Sequence, residues 1–271
     1  MKKKLLGLVL FYFLVAVGLW QASAKAAAED DPFKVGDQAY RERAEPKKAR
    51  EAIAIYREIY RKNPTSESAW RVAMSCYFVG LKLTADESEK TKIFAEGRAA
   101  GLFSSEKSPH CAACHFWTAI NMALYGQTVG VFKTLFTLKD IQRELKQSLE
   151  IDPTYAHAGA YRLLGLIQQN LPGILGGSNS EAKAYFKKAM ETAPDEPLNY
   201  FFMAKLMRQM HLAKAALEFA KLGEALPKPA IDRPESIEAQ ENIQTLIKEL
   251  AMESQIQRKM ASEVQAGYSE F

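Results

Sequence analysis

From Asp37 onward, apolar residues return at spacings of three and four along almost every stretch long enough to show a period. The two-residue alternation of a half-buried strand does not occur, so the body of the chain is predicted to be helical. A second regularity lies over the first: a small residue, an aromatic four positions on, an apolar residue three further, and a proline about five after that. It reads as Ala52, Tyr56, Ile59, Pro64, again as Ala182, Phe186, Ala189, Pro194, and again as Ala215, Phe219, Leu222, Pro227. A degenerate copy is Ile141, Leu145, Ser148, Pro153, and bulky aromatics follow two of the prolines, Trp70 after Pro64 and Tyr200 after Pro194.

That order of small, aromatic and proline positions resembles tetratricopeptide repeats. Small residues let two antiparallel helices approach, the aromatic fills the space between neighbouring hairpins, and proline stops the second helix. Each hairpin then hides its apolar face only by stacking on the next. The expected fold is all-α: four or five antiparallel helical hairpins stacked into a curved superhelical array, with a capping C-terminal helix. An irregular helical bundle is the alternative. Three segments depart from the pattern. Residues 104–109 read as a polar loop leading into Cys111. Residues 171–180 (LPGILGGSNS) carry helix-breaking Gly and Pro yet hold Ile174 and Leu175. Pro227, Pro229 and Pro234 make a stiff connector, followed by a helix from about Glu235 to Met260 and a frayed tail.

Composition alters this picture at the N-terminus. Lys2, Lys3 and Lys4 precede an uncharged run over 5–20, and Ala22-Ser23-Ala24 offers a small-residue cleavage site. The run is shorter than the ~20 residues of a membrane-spanning helix, so residues 1–24 read as an export signal removed after Ala24; an uncleaved anchor is the alternative. The expected organisation is therefore 1–24 signal, 25–226 repeat domain, and 227–271 connector, capping helix and tail. Losing the three lysines takes the formal charge from +4 to +1, which provides no basic footprint for nucleic acid. The expected location is the periplasm, where disulfides are permitted.

The runs Leu149-Glu150-Ile151-Asp152-Pro153, Ala158-Gly159-Ala160-Tyr161-Arg162-Leu163-Leu164-Gly165, Leu171-Pro172-Gly173-Ile174-Leu175-Gly176-Gly177-Ser178 and Ala182-x-x-Tyr185-Phe186-x-x-Ala189 resemble the TatT family, the T-components associated with TRAP (tripartite ATP-independent periplasmic) transporters. The resemblance covers roughly 110–225. It implies an all-helical periplasmic repeat protein with a cleft suited to a hydrophobic ligand, a homo-oligomer, and a periplasmic solute-binding protein as partner. Similar T-components carry a lipid-bearing cysteine directly after the signal; here the first cysteine is Cys76.

Cys111-Ala112-Ala113-Cys114-His115 is the attachment pattern of a c-type haem, two thiols for the vinyl groups and a histidine for the iron. The same string can hold a disulfide, or a reactive dithiol at a helix N-terminus. Zinc is disfavoured because no second ligand pair has suitable spacing, and Cys76 is either a lone buried thiol or a partner of one of the two. His110, His157 and His211 read as solvated or capping residues. No nucleophile triad, carboxylate pair or phosphate loop is legible, Gly173, Gly176 and Gly177 included, so no enzymatic activity and no metal is expected. The apolar, glycine-punctuated stretch containing Tyr125, Val129 and Phe132, together with Leu171, Pro172, Gly173, Ile174, Gly176 and Gly177, is the candidate lip of a ligand cleft, or else a buried elbow. Two functions stay open, an exported interaction module that contacts an envelope partner protein and holds an apolar or organic-acid solute in its cleft, or a mono-haem electron-transfer protein; a scaffold for envelope assembly without any ligand is a third option.

Overall fold

The computed structural model of the protein describes residues 31–268, and their side chains except at 131–134, 257, 258 and 261–268. The export signal over 1–24 lies outside the described residues. Among those described there are eleven α-helices and no strand. They are α1 (Lys34–Arg41), α2 (Pro46–Lys62), α3 (Ser66–Phe78), α4 (Glu87–Lys107), α5 (Ala112–Val129) and α6 (Val131–Ile151), then α7 (Tyr155–Asn170), α8 (Asn179–Thr192), α9 (Pro197–Gln209), α10 (Ala213–Glu224) and α11 (Pro234–Tyr268). Successive pairs from α1–α2 to α9–α10 form five stacked hairpins, and α11 covers the last of them.

Local chemistry sets the boundaries. Pro46 and Pro197 occupy the first turns of α2 and α9, where a missing N–H costs nothing. Thr65 opens α3 with a reciprocal capping box to Ser68, Asp86 accepts from the Glu89 N–H at the start of α4, and Ser178 accepts from Glu181 at the start of α8. The repeat positions behave as predicted in three copies: Ala52 and Tyr56, Ile141, Leu145 and Ser148, and Ala182, Phe186 and Ala189 are all buried. The fourth copy is one residue out of register. Ala216, Ala220 and Gly223 face the core of α10, while Leu222 is exposed, because α11 presses Ile243 against Gly223.

Two expectations need correction. Residues 104–107 are not loop but the last turn of α4, since the Ser104 and Ser105 hydroxyls bond back to the carbonyls of Gly101 and Leu102 and need no solvent. The final helix runs past Met260 to Tyr268. Gly130 alone breaks the chain between α5 and α6, with a φ of 109°, so Tyr125 and Val129 belong to a continuous helix and not to an elbow.

The array is closed on itself. The start of α11 returns to the first hairpins, where Arg43, just after α1, pairs with Glu235 at 2.6 Å and donates to the Asp232 carbonyl at 2.8 Å. Lys82 pairs with Glu238 at 2.5 Å. Near the middle of α11, Arg208 of α9 holds Glu249 and Glu253. The first helices of the hairpins (α1, α3, α5, α7, α9) and α11 thus share one interior.

Candidate functional site

That interior contains a cavity of about 630 Å³, within the range of small-molecule sites of roughly 300–1,000 Å³. Its floor is aromatic and aliphatic. Tyr77 of α3, Phe116, Trp117, Ile120, Ala123 and Leu124 of α5, Leu163 and Leu166 of α7, and Leu198, Phe201 and Phe202 of α9 line it. The rings support one another: Phe116 and Trp117 meet edge to face at 5.0 Å, Tyr77 lies 5.4 Å from Trp117, and the Trp117 indole N–H donates to the Tyr155 hydroxyl at 2.8 Å. Burial pushes the Tyr155 phenol up to about 12, only partly offset by that indole bond, so the hydroxyl stays protonated at any physiological pH.

One end of the cavity is charged. Arg43, Lys82, Arg162 and Arg233 contribute cations, and Glu196, Glu235, Glu238 and Asp232 carboxylates. Most are already matched. Arg43 stacks over the Tyr40 ring at 4.6 Å while bonded to Glu235. Glu196 is buried, and its oxygens accept from Arg233 at 2.5 Å, Ser236 at 3.0 Å and the Leu198 N–H at 3.1 Å. Asp232 is half-buried in the cavity wall.

Arg162 differs. It is buried, it forms no ion pair with a carboxylate within 4 Å, and burial lowers its pKa from the ordinary value. Its donors go to neutral oxygens: the His157 carbonyl, Asn199 Oδ1 at 2.9 Å and the Ala156 carbonyl at 2.9 Å. Ala156, His157 and Ala158 form a left-handed turn with φ of 50°, 53° and 62°. Side-chain-bearing residues there cost about 1–2 kcal/mol each, and the guanidinium holds two of the strained carbonyls. Asn199 in turn donates to the Ala189 and Ala193 carbonyls, which ties this turn to the next hairpin.

The sequence-predicted residues fall elsewhere. Cys111 and Cys114 are bonded to each other at the N-terminus of α5, with Cα atoms 5.2 Å apart, and Cys76 is free and buried. Burial pushes the Cys76 thiol well up, so it stays protonated. His115 is buried, with Nδ1 2.7 Å from Glu144 Oε2 and Nε2 3.0 Å from the Pro109 carbonyl. Both neighbours are acceptors, so both ring nitrogens donate and the ring is an imidazolium. The Glu144 bond is the main reason its pKa is raised. For Glu144, burial pushes upward but the His115 and Arg143 bonds outweigh it and lower the pKa. With both sulfurs spent on one another and both ring nitrogens engaged, these three residues do not fit a covalent haem; they staple α5 to α6 and to the preceding loop.

The proposed lip also lies away from the cavity. Tyr125 and Val129 are half-buried on α5, Tyr125 under the Arg98 guanidinium, and neither lines it. Phe132 falls on α6, with its side chain outside those described. Leu171, Pro172, Gly173, Ile174, Gly176 and Gly177 form a short 3₁₀ turn between α7 and α8 on the outside, where Ile174 is 94% exposed. His157, predicted to be a surface or capping residue, lines the cavity. Among the described residues, no group of three potential ligands is placed to hold a metal, and no helix is long and apolar enough to cross a membrane.

Residues 33–166, a little under half of the chain, match the family model of regulator of microtubule dynamics protein 1-3. This is a different family from the TRAP T-components that the motifs over 110–225 resemble. Regulator of microtubule dynamics protein 1 of Bos taurus is 23% identical over 227 residues, spanning 78% of this chain and 69% of the relative. Among solved structures, a thermophilic TPR protein of Thermus thermophilus superposes with a TM-score of 0.55 at 20% identity, over 78% of this chain and 98% of that one. That likeness shows the fold: stacked tetratricopeptide-like hairpins.

Proposed function

We propose that this protein is an exported, non-catalytic binding module that encloses one small, mostly apolar molecule in the cavity between its concave face and α11 and presents it to a protein partner. The observation that carries this reading is the cavity itself. A repeat array that serves only as a spacer gains by filling its interior, because unfilled apolar space costs roughly 24 cal/mol per Å³; this one leaves about 630 Å³ open beside a cluster of aromatic side chains.

Export is supported by the basic and apolar character of residues 1–24 and by the Cys111–Cys114 bond, which suits an oxidising compartment. The TRAP T-component resemblance supports a periplasmic solute-binding protein as the partner. Stacked tetratricopeptide-like hairpins, the fold shared with the Thermus thermophilus protein, suit contact with a protein partner.

The test uses the full chain, purified from its own envelope without detergent. Its intact mass is expected to lack residues 1–24 and to show one disulfide. The neutral fluorophore N-phenyl-1-naphthylamine is expected to brighten on binding the wild type and not the folded Ala123→Trp variant, which fills the cavity from α5. A chain that keeps residues 1–24 refutes signal cleavage, and one recovered from the cytoplasm and not the envelope refutes export. A probe that binds neither protein, or both equally, refutes the cavity as a binding site.

A further inference from the structure

Two guanidiniums at the charged end of the cavity keep donors unused: Arg233, whose Nε is buried without a partner but whose charge is matched by Glu196, and Arg162, which has no carboxylate in contact. A guanidinium has five N–H donors. In Arg162 both donors of Nη1 are taken, by the His157 carbonyl and Asn199 Oδ1, and one of Nη2, by the Ala156 carbonyl. The donors left over are Nε–H and the second N–H of Nη2. These two atoms form the side-on edge of the guanidinium, the same edge with which Arg71 grips both oxygens of Asp37 at 2.8 and 3.1 Å in the first hairpin. Nε of Arg162 is not among the buried polar atoms sealed from solvent, and the residue lines the cavity. Arg162 thus brings unused donors to the wall of the cavity.

The charge is as exposed to demand as the donors. A buried cation without a contacting anion is costly to hold, and the nearby carboxylates Glu196 and Glu235 relieve it only in part and from a distance. Glu196 is spent on Arg233 and Ser236, Glu235 on Arg43, and Glu238 on Lys82. Asp232 forms no ion pair within 4 Å with any of these cations. The fork is also held in place from behind, by a strained turn on one side and by Asn199 on the other. A planar anion with two oxygens fits it in the way a carboxylate fits any bidentate arginine. The remainder of the space, toward Trp117, Leu124 and Phe202, offers no comparable charge.

We infer that the side-on edge of Arg162 is the head-group receptor of the cavity and that its ligand is a small amphiphile with an apolar body and a single carboxylate. This rests on the cavity being a binding site, and the experiment separates the two claims. Decanoate, decanol and decylammonium, each below its aggregation threshold, compete against bound N-phenyl-1-naphthylamine on the full chain. A hydrogen-bonded charge pair is worth ~1.5–3 kcal/mol, so decanoate is expected to displace the probe at concentrations about 10- to 100-fold lower than decanol. Decylammonium should be the weakest of the three. In Arg162→Gln the preference for decanoate over decanol should collapse while decanol is unaffected.

Arg162 also braces the left-handed turn, so that variant is read only if its helical circular dichroism matches the wild type. The head-group comparison on the wild type needs no variant. Equal displacement by decanoate and decanol, or stronger displacement by decylammonium, overturns the carboxylate assignment and leaves the cavity reading standing. If the naphthylamine probe itself fails to bind, both fall.

Discussion

The seat of α5 on α4 is the contact on which the cavity floor depends, and it rests on two glycines. Gly97 and Gly101 lie one turn apart on α4, and a Cβ built on Gly101 would stand 2.8 Å from the Cα of Thr118 and 2.9 Å from its hydroxyl. Neither atom can yield. The first is backbone, and the second is held at 2.6 Å by the Cys114 carbonyl. Gly101→Ala therefore forces the helices apart, an overpacking cost of about 1–3 kcal/mol, placed at the upper end because the obstacle is main chain. Alanine returns about 1 kcal/mol of helix propensity, which leaves a net loss of about 2 kcal/mol. For a chain of this size that lowers Tm by about 4–8 °C. Thermal unfolding followed by circular dichroism at 222 nm measures it, with Gly173→Ala as the matched control: nothing lies within 4 Å of a Cβ there, and its Tm should hold or rise slightly. A Gly101→Ala protein as stable as the wild type would show that α4 and α5 are not in backbone contact and that the small residue at this position has no packing role.

Two further outcomes follow from strained or titrating groups. At Ala156, a φ of 50° makes glycine the better residue. Relief of about 1–2 kcal/mol of left-handed strain exceeds the ~0.4–1 kcal/mol of added unfolded-state entropy, so Ala156→Gly should raise Tm by roughly 1–3 °C; a fall would mean that the turn is not left-handed. The His115–Glu144 pair predicts a stability plateau in mildly acidic solution. The histidine pKa is raised above its ordinary 6.5, so its contribution is complete below 6.5 and is lost as pH climbs through the folded value. The glutamate pKa is lowered below its ordinary 4.5, so its contribution is complete above 4.5 and is lost as pH falls through the folded value. Tm measured from about pH 3 to about pH 9 should peak between those limits, and His115→Gln should flatten the alkaline decline. An alkaline decline unchanged in that variant would refute the buried imidazolium.

The hairpins were legible in the sequence because each carries its own period. Ala52 with Tyr56, and Ala182 with Phe186, satisfy a local rule that stacking then enforces. Where the local rule had two solutions it failed. In the alanine-rich stretch of α10 both Ala215 and Ala216 could serve as the small position, and the choice falls to Ile243 of α11, a contact no spacing reveals. The cavity was illegible for the same reason on a larger scale. Its walls come from six separate helices, its apolar lining is chemically identical to core, and the ion pairs that close it join residues 192 and 156 positions apart. The glycine-rich turn over 171–177 drew attention because its composition is unusual, yet an exposed 3₁₀ turn explains that composition without any ligand. One signal did point to the cavity wall. Arg162 is the lone charge in the run over 158–167 (AGAYRLLGLI), and a cation on the packed face of a repeat helix must either find a buried partner or await one. Asn199 and the turn carbonyls answer part of that demand, and the two donors they leave open are what the head-group proposal rests on.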